Sequence, residues 1–396
     1  MTSGFADFAE AASRPSGASN APGVPEFNRV ALLGGGVDSR LLAALCLSAG
    51  AEVTLFSAYG SELEALRSAS GIALRGAGPI GTYQVDRKDA PSVQLTAELD
   101  AAVADAEVIF LTGPIHKQRT YAMVLADHLK DGQVLALCPG RSLGALETAW
   151  LLRIGGATAD VTIVETQGAP YWIDAEGAVL NLSPCRPVAA ATLPRGRSNI
   201  IEGLKRFLPN LSAYESVLAS GFADGSALVE FPALLLGGPA VASGAIAVPL
   251  GGKPLPENAN FASLIGPEQQ SLIAALAGER HAVAAAFGER DLPSAEDWTQ
   301  TYAGDLKGEI RRAIPNPDEA KALLRDGVIG SLAPLISAAE MAGVDVPVTR
   351  SMVTLASTVL GADIASAGRR LDTIGIRESD IGAARSKMDA IARGAR

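Results

Sequence analysis

The 396 residues carry 33 Lys+Arg against 43 Asp+Glu, a formal charge of −10, with 48% hydrophobic and 19% charged residues. That much apolar material excludes a disordered chain, and the length suits two domains better than one core. The acidic balance excludes a nucleic-acid-binding surface, and three scattered cysteines (Cys46, Cys138, Cys185) form no disulfide framework, as expected in a reducing, cytoplasmic compartment.

Residues 1–26 are rich in Ser, Ala, Gly and Pro and read as a flexible extension, without the pattern of a targeting signal. A strand is expected at 29–33, ending in Gly34-Gly35-Gly36, with a helix over 38–49 and a second strand at 52–56. Then come a helix at 63–70, short extended pieces at 72–74 and 82–85, and a helix over 93–105. Strands follow at 108–111, 134–137 and 161–165, separated by helices at 118–129 and 143–154, the latter with Ser142 as its cap. Such alternation predicts an α/β fold, a doubly wound parallel sheet covered by helices on both faces. From 200 onward the periodicity is almost wholly helical, so the domain boundary is expected between about 182 and 198 and is taken at 190/191. The uncharged stretch 231–252 is broken by Pro232, Pro239 and Pro249 and five glycines; a buried helix with an irregular connection is expected there, and no membrane partner.

The strongest local signal is Gly34-Gly35-Gly36-Val37-Asp38-Ser39 between the first strand and the first helix. In a dinucleotide-binding turn, one glycine makes the bend and a second lets the backbone approach a diphosphate. A third small residue then lets helix and strand pack closely. Gly34, Gly36 and Ser39 fill these places. Asp38 is unwelcome there unless its charge points away from the diphosphate. The second strand ends at Ser57, where a carboxylate would hold the ribose hydroxyls of NAD; its neutrality favours NADP, with NAD second. No HExxH motif or Cys/His cluster suggests a metal site, and no Gly-x-Ser-x-Gly elbow suggests an acyl hydrolase.

Further motifs extend the pattern: Thr112-Gly113-Pro114, then 131–134, 138–147 (CPGRSLGALE) and 164–171 (VETQGAPY). Others lie at 207–209, 217–218, 232–236 (PALLL), 325–330 (RDGVIG), 343–348 (GVDVPV) and 368–369. In order and spacing this series resembles the octopine/nopaline (opine) dehydrogenases, as a divergent member. The resemblance implies a Rossmann domain over 27–190. It also implies a helical substrate and dimerisation domain over 191–396, of the 6-phosphogluconate dehydrogenase C-terminal type, with the active site in the cleft between them. It further implies hydride transfer between a nicotinamide cofactor and a small carboxylated or amine-bearing substrate, and a possible homodimer. Thr112, Gly113 and Pro114 would join the turn in binding the cofactor.

The motif that carries the family's catalytic histidine aligns with 227–232 (ALVEFP), so Glu230 stands where the histidine would be. A carboxylate there does acid–base work only if burial raises its pKa, and it repels a carboxylate while attracting an amine. Asp326 matches the supporting aspartate. His116 is the best histidine for proton transfer. Lys117, Arg119 and Arg141 are candidate carboxylate or phosphate clamps, and Glu165 a candidate orienting residue. The rival reading is a catalytically silent member that binds a nucleotide or metabolite.

Overall fold

A computed structural model describes residues 23–184, 186–238, 255, 258–304 and 312–392. The elements run β1 (Arg29–Leu33), α1 (Val37–Ser48), β2 (Glu52–Phe56), α2 (Gly60–Ser68), β3 (Gly71–Gly76), β4 (Gly81–Gln84), β5 (Val93–Thr96), α3 (Leu99–Val103), β6 (Val108–Thr112), α4 (Ile115–Leu125), β7 (Val134–Cys138), α5 (Gly144–Ile154) and β8 (Thr162–Thr166). A hairpin of β9 (Ile173–Glu176) and β10 (Val179–Leu182) follows, then β11 (Val188–Leu193), α6 (Ser198–Leu204) and β12 (Leu211–Ala213). The remainder is helical: α7 (Val217–Ala223), α8 (Ser226–Phe231), α9 (Pro267–Ala286), α10 (Ala295–Ala303), α11 (Pro317–Gly327), α12 (Ala333–Ala342), α13 (Pro347–Leu360) and α14 (Ile381–Ala392). Wide π turns, Pro232–Leu236 and Val328–Leu332, extend α8 and join α11 to α12.

Eight strands form the main sheet in the order β12-β11-β8-β7-β6-β1-β2-β5. All neighbours are parallel except β8 and β11. Every residue of β6, β7 and β8 is buried, as strands covered on both faces must be. Strand order reverses at β1, which pairs with β2 on one side and β6 on the other; ligands bind beyond the carboxyl ends of strands at such a switch. Alternate residues of β1 enter different cores. Val30 and Leu32 pack with α1 and β3, while Ala31 and Leu33 join a core continuous with the helical half. This shared core sets the two halves against each other.

The fold is thus a Rossmann-type doubly wound sheet followed by an all-helical region, as the alternation predicts. Four details differ. The proposed helix 93–105 is helical only at Leu99–Val103. Val93 and Leu95 are buried while Gln94 between them is exposed, a period of two that pairs with β2. The boundary at 190/191 falls inside β11, and the sheet continues to Ala213. Ser142 does not cap α5. Its hydroxyl donates to the Gly221 carbonyl at 2.8 Å, and left-handed Leu143 precedes the helix. The end of the proposed N-terminal extension is tied down, since Asn199 Nδ2 donates to the Gly23 carbonyl at 3.2 Å and Pro25 packs against Gly203. Residues 1–22, and 239–252 of the uncharged stretch, lie outside the described residues. Val217–Leu236 and Pro317–Ala342 are long and apolar enough to cross a membrane, but the first is wholly buried and the second largely so.

Candidate active site

The glycine turn follows from its neighbours. Gly34 has φ +121°, and a Cβ there would stand 3.0 Å from Thr112 Oγ1 and 3.2 Å from Ser39 Oγ. Its amide donates to the Phe56 carbonyl at 2.9 Å, holding the ends of β1 and β2 together. Ser39 and Thr112 share a 2.7 Å hydrogen bond, so the third small position packs α1 onto β6 through paired hydroxyls. Gly36 opens α1 with no side-chain cap, and a Cβ there would meet nothing within 4 Å. Bare amides at a helix N-terminus beneath open space fit the diphosphate of a dinucleotide. Gly34, Gly35, Gly36, Val37 and Ser39 form this turn, beside Thr112, Gly113 and Pro114.

Next to this turn lies a cavity of about 440 Å³, lined from both halves of the chain by Asp38, Arg141, Arg186, Glu230, Arg312 and Asp326, among others. Arg141 follows β7 with a left-handed backbone, φ +60°. Gly330 leaves room for its side chain, and the Gly330 carbonyl accepts from the Ser142 amide at 2.8 Å. Its guanidinium donates to Ser226 Oγ, which in turn donates to Asp224 at 2.6 Å. Asp326 sits at the end of α11. Burial pushes its carboxyl up to about 6, against the pull of Arg141 and of the Ile115 amide it accepts. Burial likewise raises Asp38, against Arg141 and Arg186. A Cβ at Gly113 would stand 3.8 Å from a carboxylate oxygen of each, so the two acids converge beside the switch point.

Glu230 is buried, but it is engaged. Arg312 Nη2 donates to its Oε1 at 2.7 Å, and Arg141 Nη1 lies 3.9 Å from Oε2. Arg312 also donates to the Tyr302 carbonyl at 2.9 Å. The Trp172 ring lies 4.3 Å from the Arg186 guanidinium and 4.2 Å from that of Arg312. Among the described residues Glu230 Oε2 and Arg141 Nε are buried without a hydrogen bond, which is the state expected of groups that face a polar ligand.

Of the sequence candidates, Val37, Asp38, Arg141, Glu230 and Asp326 line this cavity; the others do not. His116 is exposed on the outer side of the first turn of α4, because Ile115 and Gln118 take the buried side. Burial and the charges of Arg325, Lys117 and Arg119 hold it below the ordinary histidine range. Lys117 lies 4.5 Å over the Tyr59 ring, at the end of β2. Arg119 is an inter-element strut, paired with Glu147 at 2.8 Å and bonded to the Ala367 carbonyl. Glu147 also binds buried Arg369 at 2.8 Å. Glu165 accepts from the Ala145 amide and from Ser220, away from the cavity, and burial pushes it up to about 7. Ser57 is not free for a phosphate, since its hydroxyl donates to Glu62 at 2.5 Å. Reading the sequence missed Arg186, Arg312 and Trp172. Their partners lie far along the chain, so no local motif marks them.

A glycine turn at the switch point of a doubly wound sheet, open above its helix and bordered by a charged cavity, makes this chain an NAD(P)-dependent dehydrogenase. Comparison with known proteins narrows the class. The chain is 25% identical over 364 residues to an opine dehydrogenase from Arthrobacter sp. (strain 1C), covering 89% of this chain and 96% of that one. Its fold superposes on octopine dehydrogenase with NADH and pyruvate at a TM-score of 0.68, with 18% identity, covering 91% of this chain and 98% of that one. Yersinopine dehydrogenase bound to NADP+ follows at 0.58, with 14% identity and coverage of 92% and 98%. No protein-family model matches. In sequence and in fold the chain is thus similar to the opine dehydrogenases.

Proposed function

We propose that the chain transfers hydride between a nicotinamide dinucleotide and a small substrate that bears a carboxylate and a carbon–nitrogen or carbon–oxygen centre. In this reading residues 27–213 bind the dinucleotide, and the helices beyond hold the substrate and offer a dimer surface. The buried free cysteines Cys46 and Cys138 suit a reducing cytoplasm. The bound nicotinamide would supply or accept the hydride. Arg141, with Arg186 behind it, clamps the substrate carboxylate. Asp326, with Asp38 beside it, holds and releases the proton; two carboxyls in one buried corner cannot both ionise cheaply. Glu230 takes the family's histidine position without the histidine's work. It pairs with Arg312, and its Oε2, unbonded among the described residues, is left to accept a hydrogen bond from a substrate amine.

The observation that carries the reading is the convergence of Asp326, Asp38 and Arg141 in one cavity at the edge of the glycine turn. The test follows NAD(P)H absorbance with amino acid plus 2-oxo acid pairs, and separately with single hydroxy acids. Reductive turnover needs protonated Asp326 and should fall as pH rises through about 6, while the oxidative direction should rise. Asp326→Asn should lower kcat by about 10²–10⁴-fold and flatten that limb. An unchanged pH profile in the variant would remove Asp326 from the mechanism. The 2.7 Å pairing of Glu230 with Arg312 favours a second reading, a binding protein without turnover. Dinucleotide binding with no turnover on any substrate pair would select it.

A further inference from the structure

The strand that ends beside the adenosine side of a dinucleotide site is β2, and no carboxylate follows it directly in the sequence. The fold brings one there from the next helix. Glu62, in the first turn of α2, folds back over the glycine turn: a Cβ on Gly35 would stand 2.1 Å from its Oε2 and 2.8 Å from its Cβ. Gly35 therefore makes room for Glu62, a role separate from the bend at Gly34 and the open approach at Gly36. Ser57, buried at the end of β2, donates its one hydroxyl proton to Glu62 Oε2 at 2.5 Å and accepts from the Tyr59 amide at 3.1 Å. Ser57 has no proton left for a phosphate, and Glu62 is half-buried with Oε1 unbonded among the described residues.

We propose that Glu62 is the ribose-selecting carboxylate of this chain, accepting from the adenosine 2′-hydroxyl and excluding a 2′-phosphate, so that NAD(H) is preferred to NADP(H). The inference rests on the dinucleotide reading above and reverses the preference expected from Ser57 alone. A 2′-phosphate would bring a charge of about −1.5 to −2 against a carboxylate held in place by Ser57. Two cations lie near: Arg40, whose Nε is buried without a hydrogen bond among the described residues, and Lys117. Arg40 Nη1 donates to the Gly177 carbonyl at 2.5 Å, and Lys117 lies over Tyr59; among the described residues neither forms an ion pair with Glu62.

The test is calorimetric titration of the full chain with NADH, NADPH, ADP-ribose and 2′-phospho-ADP-ribose, which reads binding without turnover. The wild-type chain should bind each unphosphorylated ligand at least about tenfold more tightly than its 2′-phosphorylated partner. Glu62→Gln keeps an acceptor and removes the charge, so it should tighten the phosphorylated ligands by about tenfold and shift NADH much less. Equal wild-type affinities, a preference for NADPH, or an equal shift of all four ligands in E62Q would overturn the proposal. The wild-type ratio alone decides the point if the variant folds poorly. If all four ligands fail to bind, the dinucleotide reading falls and takes this one with it; binding without discrimination sinks only the role of Glu62.

Discussion

The glycine turn and the neighbouring cavity do adjacent work with opposite materials. The turn is backbone and small side chains, and most of its residues are consecutive, from Gly34 to Ser39. The cavity is charged side chains gathered from positions 38 to 326, of which Arg141, Arg186, Glu230 and Arg312 are buried. A turn of bare amides needs only space and a helix end. A buried charge needs a partner, because desolvation exceeds what a lone ion recovers. The open Gly36 position of the turn should therefore tolerate substitution structurally and fail functionally, while the cavity should fail structurally first.

The largest expected effect breaks the cavity side. Arg312→Met leaves Glu230 buried with Arg141 only at 3.9 Å, and should cost about 3–5 kcal/mol in denaturant unfolding. Adding Glu230→Leu should restore most of it; a double variant as unstable as the single one would show that packing, and not charge, sets the loss. Next comes Gly36→Asp, whose side chain would enter the open space above α1. It should weaken NADH or NADPH binding at least a hundredfold, about 2.8 kcal/mol, with melting unchanged. Retained affinity would remove the turn from the site.

The smallest effect sharpens the contrast within the buried acids. Burial raises Glu165 from 4.5 to about 7, so the folded state keeps a proton that the unfolded state releases. Its contribution to stability is full below about 4.5 and is lost as pH rises toward 7. Between pH 5 and 8 that loss is on the order of 2 kcal/mol. Glu165→Gln, which keeps an acceptor for the Ala145 amide, should reduce the slope by that amount. An unchanged slope would mean that Glu165 stays ionised.

The sheet was legible because strands buried on both faces read as continuous apolar runs, and β1, β6 and β7 do. Val93–Thr96 was misread because a short apolar stretch next to a helix carries both periods. β11 and β12 were hidden because Ala189, Ala190 and Ala191 have little intrinsic strand preference and pair only because β8 is there to receive them. Arg141 and Asp326, picked out by motif position, line the cavity. His116 and Arg119 do not, because residue type says nothing about which side of a helix start faces the cleft.

The sequence alone determined what is local: a glycine bend between strand and helix, the alternation that builds a parallel sheet, and the shift to helices beyond it. These rest on steric freedom and periodicity, which neighbours in the chain settle between themselves. Only the tertiary structure decided that Glu62 lies on Ser57, that Arg312 neutralises Glu230 from 82 residues away, and that Asp326 meets Asp38. Coulomb forces and desolvation act through space, so the charge a buried group feels depends on how the elements pack.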